Sequence, residues 1–131
     1  MVILLVSVSL HALSQQPLPA IGSWREHLPY NRAIDITASD EKVFCATPYS
    51  LFTVKLTDQT IERSSRITGL SETGISAINY DSANAKLLIA YTSSNLDILY
   101  KNDIYNIPDI KRDNITGDKS IYNIYSYQNK F

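Results

Sequence analysis

A pattern of short strands that recurs along the chain is the feature that most limits its fold. Thr47 recurs as Thr92, 45 residues later, and Ile36 recurs as Ile78, 42 residues later. Ile124 follows Ile78 by 46 residues. A unit of about 40–50 residues that holds four short antiparallel strands is typical of a β-propeller blade. The repeat therefore predicts an all-β chain that forms part of a propeller.

Two rounds of four strands, separated by turn residues, fill most of the chain. In the first strand, Ile34 and Ile36 alternate with Asp35 and Thr37, which is the period of a strand. The other predicted strands are 42–47, 51–56, 60–64, 75–80, 86–91, 96–100 and 104–107. The second strand of each round is apolar on both faces, as expected for a strand packed between neighbouring blades. A β-sandwich has strands at similar spacing, but the paired repeat favours the propeller.

The repeat also sets the predicted boundaries. The predicted parts, in order, are a signal peptide (1–14), an extended lead segment (15–31), blade one (32–67), blade two (68–107), a polar connector (108–119) and the start of a third blade (120–131). Residues 32–131 thus form an incomplete propeller of about two four-stranded antiparallel blades plus the first strand of a third. Because at least three repeats are expected for a stable array, we expect the chain to be a fragment of a longer protein.

The amino terminus has the composition of an export signal. Val2 to Leu10 carries no charge and is too short for a membrane-spanning helix, which needs about 20 residues. It fits the apolar core of a signal peptide, and Ala12 and Ser14 supply small residues for cleavage. A buried strand is the alternative interpretation. We predict export and no membrane span.

Charge and residue types argue against several functions. The chain has 12 Lys and Arg against 13 Asp and Glu, and only Lys111 and Arg112 are adjacent, so no basic face for nucleic acid is expected. The single cysteine, Cys45, lies in a predicted inner strand, which favours a buried thiol over a reactive one. No nucleophile elbow, phosphate loop or zinc spacing occurs. We predict no catalytic residue, no cofactor and no metal.

The polar connector contains Asp109, Asp113 and Asp118. Carboxylates near a turn can bind Ca²⁺, but their spacing matches no calcium loop. A solvated loop is the preferred interpretation.

Three stretches together resemble a known family. They are WREHLPYN at 24–31, TGLS at 68–71 with ISAINY at 75–80, and LLIAY at 87–91. From about Gly22 to Phe131 the chain is similar to the amino-terminal β-propeller of PorZ-type proteins of the type IX secretion system. Those domains resemble the propellers of two-component regulators.

The resemblance implies a non-catalytic binding and scaffold module at the cell surface, associated with the outer membrane. Its implied partners are a sortase-like protease, an outer-membrane shuttle protein and anionic lipopolysaccharide, to which the system attaches exported proteins. One alternative is the periplasmic ligand-sensing propeller of a hybrid two-component regulator, which the Gly-Leu-Ser joint fits nearly as well. Another is an enzyme with its active site across a complete propeller.

Six residues are candidates for structural or binding roles: Trp24, Arg25, His27, Tyr30, Gly69 and Gly74. In an extended segment Arg25 and His27 point the same way and could bind a carboxylate. The alternative is that Trp24 and Leu28 anchor the segment while the two polar side chains meet water.

Gly69 and Gly74 are predicted to permit the turn between the blades, and four residues are predicted to enter the core between them: Ile75, Ile78, Leu87 and Ile89. The family usually has Gly-Tyr-x-Asn-Gly after the second strand of blade two. This chain has Ala90-Tyr91-Thr92-Ser93-Ser94-Asn95 there, without either glycine. We therefore expect a longer loop, with Asn95 the best candidate for left-handed backbone.

Overall fold

The computed structural model describes residues 28–127 and residue 130. Within them, eight strands form two four-stranded antiparallel sheets with the orders β1-β2-β3-β4 and β5-β6-β7-β8. The strands are β1 (Asp35–Ala38), β2 (Lys42–Ala46), β3 (Ser50–Lys55), β4 (Ile61–Ser65), β5 (Ile75–Asp81), β6 (Lys86–Tyr91), β7 (Leu96–Tyr100) and β8 (Asp103–Ile107). The all-β partial propeller is confirmed, with β1–β4 as blade one and β5–β8 as blade two.

Within each sheet, every strand pairs with its neighbours in sequence because tight turns join them. Side-chain oxygens accept hydrogen bonds from the turn backbone: Ser39 from Lys42 N at 2.9 Å, and Asp81 from Ala83 N at 3.0 Å. Ser and Asp favour turns through such local bonds. Their placement explains why the predicted strands agree with the observed ones to within one or two residues.

Burial follows the position of a strand within its blade. The central strand β6 is buried at five of its six positions, and three of the five residues of β2 are buried. The outer strands β4 and β8 are mostly exposed. The apolar middle strands are thus more buried than the more polar outer strands, as the sequence predicts.

The core lies between the two blades. Blade one contributes Phe44, Ala46 and Leu51, and blade two contributes Ile75, Ile78, Leu87, Ile89 and Tyr91. The four residues predicted to enter this core are all in it. The ring of Phe44 stacks on that of Tyr80, with centroids 5.4 Å apart and planes 21° from parallel. Burial of this apolar area is the main force that holds the blades together.

The alternation predicted for the first strand is present, but its polar face points inward. Ile36 is 66% exposed, whereas Asp35 and Thr37 are half-buried against blade two. Asp35 Oδ2 accepts the backbone N–H of Ile78 at 2.8 Å, and Thr37 Oγ1 accepts that of Tyr80 at 3.1 Å. Two polar side chains therefore join the innermost strands of the two blades.

Two features of the carboxy-terminal part differ from expectation. The connector holds one helical turn, α1 (Asp109–Arg112), whose Asp109 at the start and Lys111 and Arg112 at the end suit the helix dipole. The predicted first strand of a third blade is not paired within the described residues; the segment 120–126 is without regular structure and is followed by an isolated Tyr127–Lys130 bridge. A strand is defined by its pairing, and no second strand of a third round lies among the described residues.

The contact of Thr37 gives a test of how the blades are joined. We predict that Thr37→Val, which keeps the shape but removes the acceptor of the Tyr80 N–H, lowers the free energy of unfolding by about 1–3 kcal/mol. Urea unfolding measures the change. The matched control is Ile36→Thr on the exposed face of the same strand, with an expected change within about 0.5 kcal/mol. Equal effects of the two substitutions would contradict the assigned role.

Candidate functional site: the joint between the blades

Of the predicted site residues, Trp24, Arg25 and His27 lie outside the described residues. Tyr30 packs edge-to-face on Phe52 of blade one, with ring centroids 6.0 Å apart. The guanidinium carbon of Arg63 lies 5.2 Å from the centre of the Tyr30 ring, within cation–π range. Tyr30 therefore packs on the face of blade one opposite to that of Leu51, which lies in the core between the blades.

The joint, residues 65–74, begins with a capped turn. Ser65 and Thr68 form a capping box around the 3₁₀ turn Arg66–Thr68: Ser65 Oγ accepts from Ile67 N, and Thr68 Oγ1 accepts from Ser65 N at 2.7 Å. Gly69 follows at φ 129°, a conformation that disfavours other residues. The turn carries Leu70 into the inter-blade core, where it is 3% exposed.

Gly74 closes the joint at the point where blade two begins. Its φ is 86°, and its N–H donates to the Pro48 carbonyl of blade one at 2.7 Å. Its own carbonyl accepts the Thr92 N–H at 2.8 Å. A Cβ atom added at Gly74 would lie 2.8 Å from Thr92 Oγ1. Backbone conformation and close contact both favour glycine here.

A buried carboxylate, that of Asp97, ties the joint to blade two. Asp97 Oδ2 accepts the Tyr91 hydroxyl at 2.6 Å and the Ser71 N–H at 2.9 Å, and Oδ1 accepts from Asn106 Nδ2 at 2.9 Å. Burial, reinforced by the Asp97 hydrogen bond and charge, raises the pKa of Tyr91 well above its usual value, so Tyr91 stays a neutral donor. The carboxylate is compensated by three donors, as a buried charge requires.

Glu72 forms a second polar cluster at the surface of the joint. It accepts from the Ser93 hydroxyl, from Asn95 Nδ2 at 3.0 Å and from Lys111 Nζ at 2.5 Å. Burial alone would raise the pKa of Glu72, but the bonds from Lys111 and Ser93 outweigh it and lower the pKa below its usual value. The helical turn α1 is thereby fastened to the joint.

The hairpin loop after Tyr91 corrects one prediction. The residue in left-handed backbone is Ser94, at φ 64°, and not Asn95. The Asn95 side chain instead donates to Glu72, and its Oδ1 atom is buried without a hydrogen-bond partner among the described residues. The Ser94 hydroxyl donates to the carbonyl of Lys119 at 2.6 Å, which fixes the loop against the end of the connector.

The remaining chemistry is sparse in the part of the chain that the structure describes. Cys45 is 6% exposed, and burial followed by the Asp35 charge raises the pKa of its thiol, which makes it a packing residue. No group of three or more His, Cys, Asp or Glu side chains suited to a metal occurs among the described residues. In the same residues, no helix has the length and apolar character needed to cross a membrane.

A cleft of about 420 Å³ opens between the blades at the end opposite the joint. Its floor is apolar, with Phe44, Tyr80, Leu87 and Leu99, and its rim comes from the turns around Glu41, Asn84 and Lys101. The size falls within the range of small-ligand pockets. No group of the cleft shows the nucleophile-and-base arrangement that catalysis requires.

The geometry of two stacked blades agrees with a comparison with protein families. The model of the PorZ amino-terminal β-propeller domain of the type IX secretion system matches residues 43–131. The chain belongs to this family. No curated protein matches the chain.

A solved structure supports the PorZ assignment. It is that of PorZ from Porphyromonas gingivalis, described as an essential bacterial surface component of the type IX secretion system. The match has 31% sequence identity and a TM-score of 0.58 and covers 66% of this chain, which spans 12% of the length of that PorZ chain. The PorZ family is thus a secretion-system family and not a known enzyme family.

The sequence predicts the turn residues Gly69 and Gly74 but not the polar contacts of Asp97, Tyr91 and Glu72. The polar Asp97 in an otherwise apolar strand, Leu96–Tyr100, was the available signal. Its partner Ser71 lies 26 residues away in sequence, a contact that no local pattern indicates.

Gly74 offers a sharp test of the joint. We predict that Gly74→Ala lowers the free energy of unfolding by about 1–2 kcal/mol, because alanine is strained at this φ. Thermal or urea unfolding measures the loss. Gly117→Ala is the matched control, since a Cβ there meets nothing within 4 Å and its φ is ordinary, and its effect should stay within about 0.5 kcal/mol. If Gly74→Ala left the free energy of unfolding unchanged, the positive φ at Gly74 would not be required for the joint.

The cluster around Glu72 predicts a dependence on pH. Because the pKa of Glu72 is lowered in the folded protein, its stabilising effect is complete above its unfolded pKa of about 4.3 and is lost as pH falls through the lower, folded value. The difference in unfolding free energy between the wild type and Glu72→Gln should therefore shrink between pH 5 and pH 2. A difference that stays constant over this range would mean that ionised Glu72 contributes nothing specific.

Proposed function

We propose that this protein is a non-catalytic binding and scaffold propeller that assists the attachment of type IX-secreted proteins to cell-surface lipopolysaccharide. The observation that carries the proposal is membership of the PorZ propeller family over residues 43–131. The related PorZ is described as an essential surface component of the type IX system. Blade-like repeats suit this role because they present loops and faces for protein partners.

The arrangement of the joint favours assembly over catalysis. Its polar groups bind one another: the buried Asp97 accepts three donors, and Glu72 pairs with Lys111 at the surface. Such groups hold the blades in place and leave no activated nucleophile among the described residues. We propose an exported protein at the outer surface, with a sortase-like protease and an outer-membrane shuttle protein as partners.

The proposal is tested in the host by deleting the gene and complementing it. We expect type IX cargo to lose its lipopolysaccharide attachment and to be released into the medium. Wild type and Gly117→Ala should restore attachment equally, and affinity purification of the wild type should recover the sortase-like and shuttle proteins. Normal attachment in the deletion strain, with neither partner recovered, would overturn the proposal.

The same strain distinguishes the regulator hypothesis. If the propeller senses a ligand for a two-component system, deletion changes transcription while attached cargo is unaffected. For a scaffold at the surface we expect the reverse, together with cleavage of the protein when protease is added to intact cells. Protection from protease in intact cells would place it in the periplasm and contradict the surface assignment.

A further inference from the structure

The cleft at the end opposite the joint has one wall from each blade, and both walls lie in the part of the chain that the structure describes. Phe44 of blade one and Tyr80, Leu87 and Leu99 of blade two form its apolar floor. Phe44 and Leu87 are buried, so the floor is fixed by the core between the blades. The volume of about 420 Å³ accommodates a large apolar side chain of a ligand.

Two ammonium groups lie at the rim of this floor. Lys42 begins β2 on the side of blade one, and Lys101 lies in the turn between β7 and β8 on the side of blade two. Neither lysine belongs to an ion pair among the described residues. Glu41 is the single carboxylate among the described residues that line the cleft. The rim therefore carries two positive charges against one negative charge.

Lys101 occupies a backbone position that does not favour lysine. Both residues of the turn are left-handed, Lys101 at φ 50° and Asn102 at φ 70°. Asn and Gly are the residues that such a hairpin turn prefers, so lysine costs the turn stability. The Lys101 ammonium lies 5.0 Å from the centre of the Tyr100 ring, a contact that uses none of its three N–H donors. Strained backbone of this kind is frequent at binding sites.

We propose that the cleft binds the carboxy-terminal residue of a polypeptide, with its apolar side chain on the floor and its carboxylate at Lys42 and Lys101. Unpaired cations beside an apolar floor are complementary to an apolar group that carries one negative charge. The rim amides of Asn84 and Asn102 suit the peptide groups of the preceding residues, which leave through the open side of the cleft. The choice of a polypeptide as the source of this chemistry rests on the proposed function as a protein-binding module.

Peptide binding to the full-length protein tests the proposal, with fluorescence anisotropy as the measurement. The probe is fluorescein-Gly-Ser-Ala-Phe with a free carboxylate, and its twin ends in a carboxamide. We expect the acid to bind about tenfold or more tightly than the amide, because only the carboxylate forms charged hydrogen bonds with the lysines. In competition, N-acetylphenylalanine should need a concentration about tenfold or more above that of the unlabelled tetrapeptide, since it lacks the peptide groups that contact the rim.

Lys101→Asn separates binding from folding. Asparagine suits the left-handed turn better than lysine, so we expect a melting temperature at or above that of the wild type. The acid probe should nevertheless bind about tenfold more weakly, because a charged donor is lost. Lys55→Gln is the matched control: Lys55 pairs in register with Lys42 but does not line the cleft, and the affinity should change by less than about twofold.

Three results would overturn the proposal: no saturable binding of the acid probe, equal binding of the acid and the amide, or a loss in Lys101→Asn no larger than that in Lys55→Gln. Competition by N-acetylphenylalanine that equals that of the tetrapeptide would overturn the polypeptide as the source and indicate a free acid. Each of these outcomes leaves the cargo attachment measured in the deletion strain unchanged, so the proposed function stands or fails separately.

Discussion

Two side chains of β1 accept hydrogen bonds from the backbone edge of β5, and the arrangement of the two blades depends on this contact. The hydrophobic core between the blades supplies most of the attraction, but apolar packing alone does not fix register. The hydrogen bonds that Asp35 and Thr37 accept from two N–H groups of β5 fix the register. A shift of one residue would separate both acceptors from their donors. The stacking of Phe44 on Tyr80 then follows from that register.

The joint brings β5 next to β1, so that this contact can form. After β4 the backbone turns at Gly69 and Gly74, and the Pro48 carbonyl receives the first N–H groups of blade two. Asp97 then binds the joint to the body of blade two through the Ser71 N–H. Glycine at the turns and buried polar bonds beside them thus hold the start of blade two at a fixed place on blade one.

Local patterns predict much of this fold, and long-range polar contacts account for the rest. Strand positions, the buried middle strands and the core residues Ile75, Ile78, Leu87 and Ile89 could be predicted, because turn residues and apolar runs are local signals. The face of β1 that points to blade two could not be predicted, since alternation defines two faces of a strand without indicating which one is buried. The sequence predicts left-handed backbone at Asn95 in the hairpin loop, but the left-handed residue is Ser94. The Asn95 side chain instead donates a hydrogen bond to Glu72 across the joint. Such partners lie more than 20 residues apart and leave no pattern in sequence.

Blade one satisfies the free edge of blade two through the Asp35 and Thr37 side chains. Amide hydrogen exchange of Ile78 and Tyr80 in the native protein measures this most directly. We expect slow exchange at both amides, comparable to that of amides within the β5–β6 ladder, although neither N–H has a partner in its own sheet. Exchange as fast as that of the exposed outer edge of β8 would contradict it.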